Sequence, residues 1–229
     1  MEKSEFDNQN LIIERSGIRI ELKYESQYSE DKQIEREEYY QKIEISESGN
    51  SNLGIRIFND DKEINSGLIL GINGGTWLSK ATQKENGQSV KFEDNKLILS
   101  LGLNLVSIEI PTLKLNWNIK PDQAEIFEFY DLEDDILLRG ELEIHRIGLN
   151  GNIKWSYGGR DIWVNIEGKP EVTILENKIR LIDFENYKYV IDFKGNTLKV
   201  NSSNRKSGKI GDYTDEKSNP VWWKFWKRK

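Results

Sequence analysis

Ile18, Ile20, Leu22 and Tyr24 alternate with Arg19, Glu21 and Lys23. A period of two puts apolar side chains on one face and charged ones on the other, which is the signature of a half-buried strand. Ser16-Gly17 sits just before this run, and glycine tolerates the positive φ of a tight hairpin turn, so 11–25 reads as a hairpin. The alternation resumes at Ile43 and Ile45, then at Leu53, Ile55 and Ile57, with the turn cluster "SGNSN" between them. It continues through "GLILGINGGTWLSKA" and "SVKFEDNKLILSLGLNLVSIEIP". Turn signals recur every ~8–12 residues, the spacing of antiparallel all-β domains. Alanine, the strongest helix former, occurs only at Ala81 and Ala124. The expected fold is all-β, with antiparallel sheets packed as a sandwich or as stacked, propeller-blade-like meanders. In "KPDQAEIFEFYDLEDD" the same period would place Phe127 and Phe129 on one face and Ile126, Glu128 and Tyr130 on the other.

Residues 133–155 and 176–200 read as copies of one another. Glu133, Ile136 and Leu138 match Glu176, Ile179 and Leu181, and "IGLNGN" at 147–152 matches "IDFKGN" at 191–196. The separation is about 44 residues, a period that marks stacked supersecondary units. Residues 94–110 form a weaker third copy. The two copies, 133–200, resemble quinoprotein-type (PQQ-like) β-propeller blades, in which a strand ending near a D-x-x-G turn is followed by a short apolar strand and often a Trp. That resemblance implies blade-like meanders. It transfers no cofactor residue to this chain, and a closed propeller needs at least four such blades.

The expected organisation is a disordered N-terminus at 1–10, an antiparallel β region at 11–120, and a β region with two blade-like repeats at 121–200. A flexible linker at 201–220 and an aromatic-basic tail at 221–229 follow. Hydrophobic residues make up 36 % of the chain and charged residues 31 %, with a net charge of −6. The acidic balance argues against nucleic acid as a partner. There are no cysteines and a single histidine, so thiolate chemistry is excluded, and neither a metal nor a cofactor is expected. The acidic N-terminus does not look like a secretory signal, and no run approaches the ~18 apolar residues of a membrane span. The expectation is a cytoplasmic protein.

Three stretches carry the candidate chemistry. On "LRGELEIHRI", read as one strand, Arg139, Glu141, Glu143 and His145 share a face about 7 Å apart, opposite Leu138, Leu142 and Ile144. Paired carboxylates with a histidine suit acid–base work on a glycoside or another hydrolysis. In "KWSYGGRDIWV", Trp155, Tyr157 and Trp163 flank Gly158-Gly159-Arg160-Asp161. Trp, Tyr and Arg are the residues enriched in protein-contact hot spots. In the tail "NPVWWKFWKRK", Trp222, Phe225 and Trp226 would share one side of a helix, with Trp223 beside them and Lys224, Lys227 and Arg228 opposite. Such a segment suits docking on its own body, on a partner protein, or weakly on a membrane surface. The expected function is a non-enzymatic protein-binding module of accessory or immunity-like character. The alternatives are a carbohydrate-binding or hydrolytic enzyme using Glu141, Glu143, His145, Arg160 and Asp161, and a peripheral membrane-associated protein.

Overall fold

The computed structural model describes residues 10–25, 39–49, 51–75, 77–80 and 87–201. The segment 1–9 and everything after Asn201 lie outside them, including the expected tail and all of the expected linker except Asn201, which ends a strand. Every helix or strand assigned among the described residues is a strand. The first sheet holds β1 (Asn10–Arg15), β2 (Ile18–Glu25), β3 (Gln41–Glu44), β4 (Ser51–Asn59) and β5 (Lys62–Ile72), in the order β1-β2-β4-β5-β3. The β1–β2 hairpin turns at Ser16-Gly17, both at positive φ. Asp60-Asp61 closes β4–β5 in the same way. Two left-handed central residues give a turn whose twist matches that of the flanking strands. One pairing departs from the antiparallel expectation: β3 runs parallel to β5, with Ile43 beside Ile69.

Three four-stranded antiparallel meanders follow. The second sheet is β6 (Val90–Glu93), β7 (Lys96–Leu101), β8 (Asn104–Glu109) and β9 (Leu115–Ile119). The third is β10 (Ile126–Leu132), β11 (Asp135–Gly140), β12 (Glu143–Gly148) and β13 (Ile153–Gly158). The fourth is β14 (Val172–Leu175), β15 (Lys178–Ile182), β16 (Lys188–Ile191) and β17 (Thr197–Asn201). Each has the local layout of a propeller blade. In all three, the register between the last two strands slips by one residue at the same place: after Ser107, after Arg146 and after Val190.

Alternation along each strand sends neighbouring residues into different cores. Leu97, Leu99 and Leu101 pack towards the first sheet, while Ile98 packs towards the third. Ile136 and Leu138 face the second sheet, and Leu137 faces the fourth. Each fully buried Leu or Ile contributes about 2 kcal/mol. The sheets therefore stack in chain order, with one apolar cluster between each consecutive pair. Among the described residues, no cluster joins the fourth sheet to the first. The stack is open.

A repeated contact locks consecutive sheets. Trp117 on β9 donates its indole N–H to the Leu149 carbonyl (3.0 Å) and lies against Gly151. Trp155 on β13 donates to the Phe193 carbonyl (3.0 Å) and lies against Gly195. Both glycines have positive φ, and a Cβ at either would meet the indole at about 3 Å. Only glycine satisfies both demands. Arg146 reinforces the second lock, donating to the same Phe193 carbonyl at 2.8 Å while paired with Asp135 and Glu133.

Candidate functional site

The carboxylate–histidine array does not exist as one strand face. Glu141 and Leu142 form a turn between β11 and β12, so the chain reverses inside "LRGELEIHRI". Antiparallel pairing sets Leu138 opposite His145 and Arg139 opposite Ile144. Directly opposed residues share a face, so Arg139 and His145 point to opposite sides of the sheet. Asp122 shapes the turn: its Oδ2 accepts the N–H groups of Leu142 and Glu143, each at 3.0 Å. Gly140 makes room for it, since a Cβ there would stand 2.1 Å from that oxygen. A register shift between Ile126 and Phe129 likewise changes the faces of β10. Phe129 joins Ile126 in the core against the second sheet, and Phe127 no longer shares its side.

His145 is fully buried, and its partners come from elsewhere in the sequence. Its Nδ1 is 2.8 Å from the hydroxyl of Ser156, an exposed residue on β13. Its Nε2 faces Asp122 Oδ2 at 3.9 Å, beyond hydrogen-bond length. With the proton on Nε2, towards the carboxylate, Nδ1 accepts from the Ser156 hydroxyl. Burial alone would raise the Asp122 carboxyl, but the His145 imidazole and the N–H groups of Ala124, Glu143 and Leu142 outweigh it and hold it at about 2. Ser156 and Asp122 carry no local sequence signal, because cross-strand register brings Ser156 to His145 and the loop before β10, pinned to the β11–β12 turn, brings Asp122.

The aromatic stretch at 155–163 is mainly structural. Trp163 is completely buried between the third and fourth sheets, edge-on to Tyr189 at 5.4 Å, and offers no surface to a partner. Trp155 is committed to Gly195. Tyr157 is half-buried, edge-on to Tyr189, and its hydroxyl meets Thr197 Oγ1 at 3.1 Å. Asp161 caps its own turn by accepting the Ile162 N–H. Arg160 is exposed, with its guanidinium 4.4 Å above the Tyr187 ring. Trp222, Trp223, Phe225 and Trp226 lie outside the described residues.

The sequence reading missed a cleft of about 380 Å³ lined by Trp77, Ser79, Ser89, Phe127, Tyr130 and Arg139. Trp77 is 60 % exposed at its rim. Below it, Arg139 lies 4.4 Å over the Phe127 ring, grips both Glu128 oxygens at 2.6 Å, and donates to the Trp163 carbonyl. Tyr130 donates to the same carboxylate at 2.8 Å, and burial together with that charge pushes its phenol up. Glu128 and Arg139 neutralise each other, so Glu128 is not placed as a free general base. The cleft is aromatic with satisfied polar walls. The available signal was a Trp outside the alternation, in the turn-rich stretch "NGGTWLSK".

No protein-family model matches the chain, and no curated protein matches it. Among solved structures it is similar to the computationally designed Ika8 protein, at 9 % identity and a TM-score of 0.46, over 83 % of this chain and 48 % of that one. It is also similar to BamB from Moraxella catarrhalis, at 9 % identity and a TM-score of 0.41, over 85 % of this chain and 61 % of that one. The chain thus spans about half to three-fifths of the length of these structures. At such identity neither says anything of activity.

Proposed function

We propose that this chain is a non-catalytic, cytoplasmic protein-recognition module, accessory or immunity-like in character, whose β body engages a partner at the Trp77 cleft. The observation that carries this reading is Trp77 itself, a large aromatic held 60 % exposed over the Phe127–Arg139 stack. Aromatic and arginine side chains around a desolvated recess are what binding hot spots are made of. Charge gives the partner's character. Residues 202–229 hold eight Lys or Arg and three Asp or Glu, a net +5, so with −6 overall the first 201 residues carry −11. A body this acidic steers a basic partner towards it. The tail aromatics Trp222, Trp223, Phe225 and Trp226 are a second, tethered contact.

The test is affinity capture of the partner with wild type beside Trp77→Ala. Truncating a hot-spot Trp is expected to weaken binding by about thirtyfold or more. A partner captured equally well by both proteins would sink the cleft reading.

The convergence of Ser156, His145 and Asp122 supports a second, hydrolytic reading. In it the Ser156 Oγ attacks an ester carbonyl and its proton passes to His145 Nδ1. The leaving alcohol then takes that proton, and water releases the acyl group and restores the hydroxyl. A fluorophosphonate probe should label wild type and spare Ser156→Ala. Absence of labelling in wild type ends this reading.

A further inference from the structure

The outer face of the fourth sheet has an unusual make-up for a protein this acidic. Register places Arg180, Val190 and Lys199 side by side across β15, β16 and β17. Lys178 and Lys188 lie two residues along on the same face. All four cations are exposed, and among the described residues none is within ion-pair distance of a carboxylate. Opposed strand residues stand about 5 Å apart and diagonal ones about 7–8 Å. Val190 is thus ringed by four like charges, an arrangement that repels itself. The nearby Asp192 carboxylate does not relieve it, because it accepts from the Lys194 and Asn196 backbone N–H groups and the Asn196 side chain. Trp117 and Trp155 mark the positions where the second and third sheets dock the next one, and Lys199 stands at the corresponding position here. The face that would have received a fifth sheet is therefore cationic.

We propose that this face is a docking surface for an anionic membrane, independent of the Trp77 cleft. Two further observations select lipid over an acidic protein. The edge strand β17 is exposed at all five positions and presents Leu198 next to Lys199 at 59 % exposure, while Val200, opposite the buried Tyr189, belongs to the other face. Directly beyond Asn201 the sequence continues with net charge +5 and ends in "VWWKFWKRK". Trp rings favour the headgroup level of a bilayer, and Lys and Arg interspersed among them meet anionic lipids. The cationic face lies at one end of the stack, so an acidic body would face away from the surface.

The experiment sediments the full-length protein with phosphatidylcholine vesicles, with and without about 30 % phosphatidylserine. The expected result is binding only where phosphatidylserine is present, weakened by salt. Replacing Arg180→Glu, Lys188→Glu and Lys199→Glu together should lower the partition coefficient at least about a hundredfold, at roughly fivefold per charge lost. Circular dichroism should be unchanged, since all three side chains point to solvent. Failure of wild type to bind phosphatidylserine vesicles overturns the proposal. So does undiminished binding of the triple variant, which would leave the tail as sole anchor. Preferential binding of soluble polyglutamate through the same three residues would also overturn it, in favour of an acidic protein partner.

Discussion

The two ends of the stack are closed by opposite means. On the outer face of the first sheet, Arg19 pairs with Glu21 and Asp61 and lies 4.1 Å over the Phe58 ring. Arg56 meets Glu63 at 2.6 Å and lies over Tyr39. Lys23 sits 3.7 Å from Glu25. Every one of these cations has its anion. On the outer face of the fourth sheet, Lys178, Arg180, Lys188 and Lys199 have none among the described residues. Both surfaces stop further apolar stacking, as terminal units of a repeat array must. The first pairs Arg19, Lys23 and Arg56 with carboxylates of its own strands and turns, leaving Lys42 as a cation of that face with no ion pair among the described residues. The second leaves its cations unneutralised, which the fold does not require.

If the ends are closed by charge and the middle by packing, the cost of substitution should fall from the interior outward. Gly195→Ala is expected to be the most damaging, at about 2–4 kcal/mol in urea unfolding, because it strains a left-handed residue and drives a methyl into Trp155. A loss below 0.5 kcal/mol would mean that the indole lock does not hold the fourth sheet. Asp122→Asn comes next, at about 2 kcal/mol near neutral pH. The folded carboxyl at about 2 lies below its ordinary 3.8, so its stabilisation is present above pH 4 and is lost as pH falls towards 2. The variant should therefore differ from wild type at pH 7 and converge with it near pH 2, which acid titration of unfolding will show. The smallest effects belong to the caps. Glu63→Gln should cost about 0.5–1 kcal/mol by leaving Arg56 without that carboxylate. Lys188→Gln should cost nothing or stabilise slightly by relieving repulsion. Equal losses at the two positions would erase the distinction between the ends.

Much of this architecture was legible in the sequence. Alternation at Ile18–Tyr24 and the Ser16-Gly17 turn marked the first hairpin, and the matched stretches at 133–155 and 176–200 became the third and fourth sheets. The losses came from parity. A period of two says which residues share a face only until a turn or bulge intervenes. Glu141-Leu142 lacks the Asn-Gly or Asp-Gly chemistry that announces a hairpin, so Glu141 and Glu143 read as strand alternation and set His145 on the wrong side. The slip at Ile126–Phe129 did the same to the phenylalanines. The cationic face needed the register of three strands before Arg180, Lys188 and Lys199 could be seen together. The Trp77 cleft assembles from residues up to 62 positions apart, which no local pattern reports.

The Trp-to-Gly lock also has a direction in time. Trp117 leaves the ribosome 34 residues before Gly151, and Trp155 leaves 40 before Gly195. At about 5–20 residues per second, each indole waits a few seconds for the turn that will cover it. Each new sheet is thus received by the one made just before it, and the body can assemble in the order in which it is translated.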